Sequence, residues 1–174
     1  RAYKKLEAGT LLTLVDGKER LHRYWDPARQ AQAALAQPFQ GSREEALDEV
    51  SRLFEQSVAR RLESDVAVGA FLSGGIDSSL AVAYAQRVSP QGVNTFTIGF
   101  DNTHFNEAPF AKAVAARLGT NHTEIFVSET DALAVVDTLA KMYDEPFADP
   151  SQLPTAVLCA KARKYVTVAL AGDG

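Results

Sequence analysis

The densest chemistry in this chain lies in Ser73-Gly74-Gly75-Ile76-Asp77-Ser78-Ser79. An apolar run, Val66 to Leu72, precedes it, and a segment able to form a helix, Leu80 to Val88, follows. A strand, a glycine turn and a helix N-terminus bring free backbone N–H groups and the positive end of the helix dipole to one spot, which suits an anion. Gly74 and Gly75 allow the backbone to approach a phosphate closely. Ser73, Ser78 and Ser79 add hydroxyl donors, and the Asp77 carboxylate can hold a divalent cation against the phosphates. No Gly-Lys-Ser/Thr occurs here, so this is not a Walker loop. The plainer reading is a glycine turn with serine and aspartate capping a helix. The strand before it and the helix after it favour the phosphate role.

The rest of the chain must position that loop. A length of 174 residues suits one domain with an appended piece, and 46% apolar against 23% charged residues describes an ordinary globular chain. The formal charge of -4 supplies no basic field for nucleic acid, and the longest apolar run is too short to span a bilayer. One cysteine, Cys159, excludes an internal disulfide and fits a reducing cytoplasm. Its apolar helical setting reads as a buried structural thiol.

Strand candidates Leu11 to Val15 and Arg20 to Tyr24 flank the turn Asp16-Gly17. Residues 26–41, rich in Ala and Gln between Pro27, Pro38 and Gly41, read as a linker with a loose helical turn. Ser42 and Glu45 form a capping box for a helix to about Leu62, with Ala46, Leu47, Val50, Leu53, Phe54 and Val58 on one apolar face. β and α patterns then alternate. Strands are expected at Val66 to Leu72, Val93 to Phe100, Asn121 to Val127 and Val166 to Ala171. Helices are expected at Ser79 to Val88, Glu107 to Leu118 (closed by Gly119), Glu129 to Lys141 and Ala156 to Lys164, with Leu133, Val136, Leu139 and Ala140 inward on the third. A loop holds Pro146, Pro150 and Pro154. The fold class is α/β, a parallel sheet with helices on both faces. Ligands bind such sheets outside the strand carboxyl ends, where Ser73 to Ser79, Gly99 to Asn106 and Gly172 to Gly174 all lie.

Several segments together resemble the synthetase half of glutamine-dependent asparagine synthetases, within the PP-loop ATP pyrophosphatases. The segments are Ser73 to Ser79, Thr95 to Phe100, Phe105-Asn106-Glu107-Ala108-Pro109-Phe110-Ala111 and Leu118 to Glu124. To them are added Tyr143 to Ser151, Ala171-Gly172-Asp173-Gly174, and, near the start, Tyr3 to Gly9 and Tyr24 to Pro27. The resemblance implies the adenine nucleotide alpha hydrolase-like fold, with residues 1–41 as the end of a glutaminase domain and linker and 42–174 as the first part of the synthetase domain. It implies ATP and Mg²⁺ as cofactors, and aspartate and glutamine-derived ammonia as substrates. The reaction implied is adenylation of the aspartate side-chain carboxylate to β-aspartyl-AMP, then amidation. A missing N-terminal glutaminase domain, a homodimer and a cytoplasmic location complete the expectation.

By the same resemblance, Phe71 and Ile98 meet the adenine through backbone groups, Gly172 contacts the nucleotide, and Asp173 takes part in adenylate formation beside Asp77. Ala171 stands where the family has serine. The sequence stops before the family's second metal-binding aspartate and its lysine, so these residues alone are not expected to complete the reaction. The alternatives are another PP-loop amidotransferase acting on a different carboxylate, or a non-catalytic ATP-binding module. His122 reads as structural, having no second histidine nearby. Glu107 and Glu124 have no assigned chemistry. Asp144 and Glu145 either shape the aspartate pocket or stabilise their loop, and Arg60, Arg61, Arg163 and Lys164 read as solvated.

Overall fold

The computed structural model describes residues 4–100, 106–143 and 149–172. The chain divides into two compact units, Arg1–Glu49 and Val50–Gly174, with the break inside a helix.

In the first unit, β1 (Thr10–Val15) and β2 (Lys18–Arg23) pair antiparallel, with Val15 opposite Lys18. Asp16 (φ 51) and Gly17 (φ 72) are both left-handed, the conformation a two-residue hairpin turn needs. Within the stretch read as a linker with a loose helical turn stands a longer helix, α1 (Pro27–Ala36). Asp26 caps it by accepting from the N–H groups of Ala28 (3.0 Å) and Arg29 (3.2 Å), and Pro27 supplies a pre-set φ at the first helical position. None of its residues is buried, so it leaves no apolar stripe in the sequence. α2 (Arg43–Leu62) starts with the expected box: the Glu45 N–H donates to Ser42 Oγ at 3.2 Å and the Ser42 N–H to Glu45 Oε2 at 2.7 Å.

In the second unit, the C-terminal half of α2 packs through Phe54, Val58 and Leu62, while Leu47, Val50 and Leu53 of the expected face stay exposed. There follow β3 (Val68–Phe71), α3 (Ile76–Val88), β4 (Asn94–Phe100), α4 (Ala108–Leu118), β5 (Asn121–Val127), α5 (Glu129–Met142), α6 (Gln152–Ala162) and β6 (Val168–Leu170). All four strands are parallel, in the order β5-β4-β3-β6.

Side chains alternate between two cores, as the pleat requires. Ala70 and Leu72 join Val58, Val82, Ala85, Ala111 and Ala115 beneath α2, α3 and α4. Phe71, Phe96, Ile98, Ile125 and Val127 meet Val135 of α5 and Val157 of α6 on the other face. Phe96 is 1% exposed, and burying a phenylalanine contributes about 2–3 kcal/mol.

Three expectations fail here. Leu133, Val136 and Ala140 of α5 face solvent, and Val135 packs inward in their place. α6 begins earlier than expected and takes Pro154 into its first turn, where a missing N–H costs nothing. Cys159 is exposed, and partial desolvation holds its thiol above the usual range. Among the described residues, no helix is long and apolar enough to cross a membrane.

Candidate functional site

The helix after the loop begins at Ile76, three residues earlier than expected. Gly75 is its N-cap, extended (φ -70, ψ 167) and without a side chain to cap with. The first intrahelical bond runs from the Ser79 N–H to the Gly75 carbonyl at 3.1 Å. The N–H groups of Ile76, Asp77 and Ser78 therefore fall in the turn that has no acceptor within its own helix.

Serines set the loop's shape. Ser78 Oγ accepts from the Ser73 N–H at 3.2 Å and shares a hydrogen bond with Ser73 Oγ at 2.8 Å, and the Gly75 N–H donates to Ser73 Oγ at 3.2 Å. Two glycines permit close approaches around it. Gly74 has φ 84, and a Cβ there would lie 2.7 Å from Phe110 Cβ and 2.8 Å from the Ala111 nitrogen. A Cβ on Gly172 would lie 2.5 Å from the Ser78 nitrogen. The loop thus lies on the first turn of α4, and the exit of β6 lies on the first turn of α3. Strand order reverses at β3, with β4 and β5 to one side and β6 to the other. That reversal is the switch point at which open α/β sheets bind ligands.

A cavity of about 330 Å³ opens there, a size that suits a small-molecule site. Phe71, Phe96, Ile98, Pro154 and Leu158 form an apolar part; Ser73, Gly75, Asp77, Ser78, Thr97 and Glu107 form a polar one. The β3–β4 pairing ends where the Leu72 N–H meets the Phe96 carbonyl at 2.9 Å. Backbone groups alternate sides along a strand, so the N–H and C=O of Ile98 point to the side that β3 has left. They offer an adjacent donor and acceptor, which a planar heterocycle can use.

Of the residues singled out from sequence, Phe71, Ser73, Gly75, Asp77, Ser78, Ile98 and Gly172 line this cavity. Gly74 belongs to the same loop but lies against α4. Ser79 turns into the groove between α3 and α4, and its buried hydroxyl has no hydrogen-bond partner. Asp173, Asp144 and Glu145 lie outside the described residues. Sequence reading missed Thr97 and the wall made by Pro154, Thr155 and Leu158 of α6, whose approach only the tertiary fold reveals. Beyond Asp77 and Gly172 lies a second hollow of about 480 Å³, lined also by Arg61, whose Nη1 donates to the Ser57 carbonyl at 2.9 Å.

His122 and Glu124 do not line the main cavity. His122 Nδ1 is 2.9 Å from Thr95 Oγ1, its Nε2 is buried without a partner, and burial lowers the ring's pKa. Glu124 accepts from Lys112 Nζ at 2.8 Å. Among the described residues no three His, Cys, Asp or Glu side chains converge on one point. A carboxylate beside a phosphate loop nevertheless fits Mg²⁺, which takes one or two protein carboxylates and completes its shell with phosphate oxygens and water.

A glycine–serine loop feeding a bare helix N-terminus at the switch point of a parallel sheet, without a Walker lysine, marks a nucleotide-binding α/β protein of the PP-loop type. The asparagine synthase family profile matches residues 49–174, and the chain belongs to that family. It is 35% identical over 172 residues to asparagine synthetase 1 (glutamine-hydrolysing) of Bacillus subtilis, covering 98% of this chain and 26% of that one. It is 42% identical over 127 residues to a Mycobacterium tuberculosis protein provisionally named a glutamine-hydrolysing asparagine synthetase, covering 73% of this chain and 19% of that one. The chain thus spans about a fifth to a quarter of the length of these relatives. Among solved structures, a glutamine-dependent NAD+ synthetase from Acinetobacter baumannii, in complex with ADP, superposes with a TM-score of 0.52. The match has 21% identity and covers 70% of this chain and 24% of that one; this likeness concerns the fold.

Proposed function

We propose that this chain forms the nucleotide-binding part of an asparagine synthetase. An aspartate side-chain carboxylate oxygen attacks the α-phosphorus of ATP, the bond to the bridging oxygen of the β-phosphate breaks, and pyrophosphate leaves. Ammonia derived from glutamine then attacks the acyl carbon of β-aspartyl-AMP, and AMP departs. The observation that carries this reading is the first turn of α3, set on the exit of β6: its N–H groups have no acceptor in their own helix, and Gly75, Asp77 and Ser78 of that turn line the cavity together with Ser73.

Those N–H groups point at the oxygens of the departing pyrophosphate, where negative charge accumulates. The apolar part excludes water and seats the base, with Ile98 offering backbone hydrogen bonds. Asp77 would hold Mg²⁺, which neutralises phosphate charge. Aspartate-dependent exchange of pyrophosphate into ATP by the full-length protein tests the reading. Exchange is expected in the wild type and lost in Asp77→Ala; exchange that survives in Asp77→Ala refutes the assignment.

A further inference from the structure

The main cavity carries an unbalanced charge. Asp77 and Glu107 both line it, whereas among the described residues no lysine, arginine or histidine does; Arg61 lines the adjoining hollow. Neither carboxylate has a hydrogen-bond or ion-pair partner among the described residues. The first turn of α3 contributes the equivalent of roughly half a positive charge, too little to offset two carboxylates and a triphosphate.

Glu107 is the N-cap of α4, where its charge suits the helix dipole but its carboxylate is not held by a capping bond. Asn106 Oδ1 accepts from the Ala108 N–H at 3.1 Å in its stead. Thr97 is a second, independent sign of a ligand. It is 3% exposed, lines the cavity and has no side-chain hydrogen-bond partner among the described residues. Thr95, on the same strand face two residues earlier, meets both Thr120 Oγ1 (2.8 Å) and His122 Nδ1 (2.9 Å). Thr97 and Glu107 line one cavity, and neither side chain has a protein partner there among the described residues, so both are free for an occupant. Both donors are hard oxygens.

We propose that Glu107 and Thr97 hold a divalent cation of the Mg²⁺ class against the nucleotide phosphates, on the α4 side of the loop, in addition to the cation held by Asp77. Few protein oxygens are needed, because phosphate and water complete the shell. The proposal rests on the nucleotide reading above. It gives Glu107 opposite effects on two measurable quantities: its carboxylate attracts the cation and repels the bare nucleotide.

The test uses Mn²⁺ and ATP as probes, with Mn²⁺ affinity of the ATP-loaded protein followed by electron paramagnetic resonance and metal-free ATP binding by calorimetry in EDTA. Glu107→Gln is expected to weaken Mn²⁺ binding at least tenfold while tightening metal-free ATP binding. Thr97→Val, nearly isosteric, is expected to weaken Mn²⁺ binding a few-fold and leave metal-free ATP binding unchanged. Equal Mn²⁺ affinities in wild type and Glu107→Gln, with ATP bound by both, overturn the proposal alone. Weaker binding of both probes by Glu107→Gln assigns Glu107 to structure and overturns it too. Failure of the wild type to bind Mn²⁺ with ATP overturns the nucleotide reading and this proposal together.

Discussion

The hydroxyls of Ser73 and Ser78 share a hydrogen bond of 2.8 Å across the glycine turn, and Ser78 Oγ also accepts from the Ser73 N–H at 3.2 Å. One buried side chain therefore closes the loop from the helix side. Replacing Ser78 by alanine removes both bonds and leaves the Ser73 N–H without that acceptor. The expected loss is about 1–2 kcal/mol of stability, read from the urea midpoint, with weaker ATP binding. Unchanged ATP affinity would show that the serine pair does not shape the loop.

Gly172 admits no side chain where it crosses α3, because a Cβ would lie 2.5 Å from the Ser78 nitrogen and 2.7 Å from its Cα. The clash is with backbone, which cannot swing away as a flexible side chain would. Gly172→Ala is expected to cost about 2–3 kcal/mol and to displace the first turn of α3. Gly119, with φ 70 but nothing within 4 Å, serves as the comparison. Gly119→Ala pays only the left-handed backbone cost of about 1–2 kcal/mol and leaves ATP binding intact. Calorimetric ATP titration of the two variants separates the effects.

His122 links stability to pH. Burial disfavours the charged ring, so its folded pKa lies below the ordinary 6.5. Below that value the unfolded chain takes up a proton that the folded protein resists, and stability falls with acidification. At higher pH the ring is neutral in both states and contributes nothing to the slope. Urea midpoints measured through this range should decline on acidification in wild type and decline less in His122→Gln. Equal slopes would contradict the desolvated ring.

A capping box that sequence reading did not notice opens α5. The Asp131 N–H donates to Ser128 Oγ at 3.2 Å, and the Ser128 N–H donates to Asp131 Oδ2 at 3.0 Å. Ser128→Ala is expected to cost about 1 kcal/mol, as loss of an N-cap usually does. Hydrogen bonds from Ser128, and then Lys161, lower the Asp131 pKa. That contribution is present above the ordinary 3.8 and fades as pH drops through the folded value. Acid unfolding of Asp131→Asn should accordingly depend less on pH below about 4 than that of the wild type.

Much of the sheet could be read from sequence because β-rich segments alternate with helical patterns between glycine and polar breaks. β5 spans the expected Asn121 to Val127, and Gly119 ends α4 in the left-handed conformation (φ 70). The full length of α1 escaped notice because a helix that buries nothing carries no apolar period. The rotation of α5 escaped because Leu133, Val135 and Val136 offer two overlapping stripes, and only packing against the second core selects Val135. In the site, the glycine–serine motif was legible because its chemistry is contiguous. Thr97 and Leu158 were not, since the middle of β4 and the flank of α6 meet there only after folding.

The position of β6 has a consequence for biogenesis. It pairs with β3, yet β4, α4, β5, α5 and α6 all come between them in the chain. A ribosome-bound chain that has made β3, β4 and β5 therefore carries an open sheet edge beside the phosphate loop, the kind of edge that invites mispairing. Gly172 reaches Ser78 only once β6 has docked. Nascent chains should need chaperone protection during this interval, and nucleotide can stabilise them only after it ends.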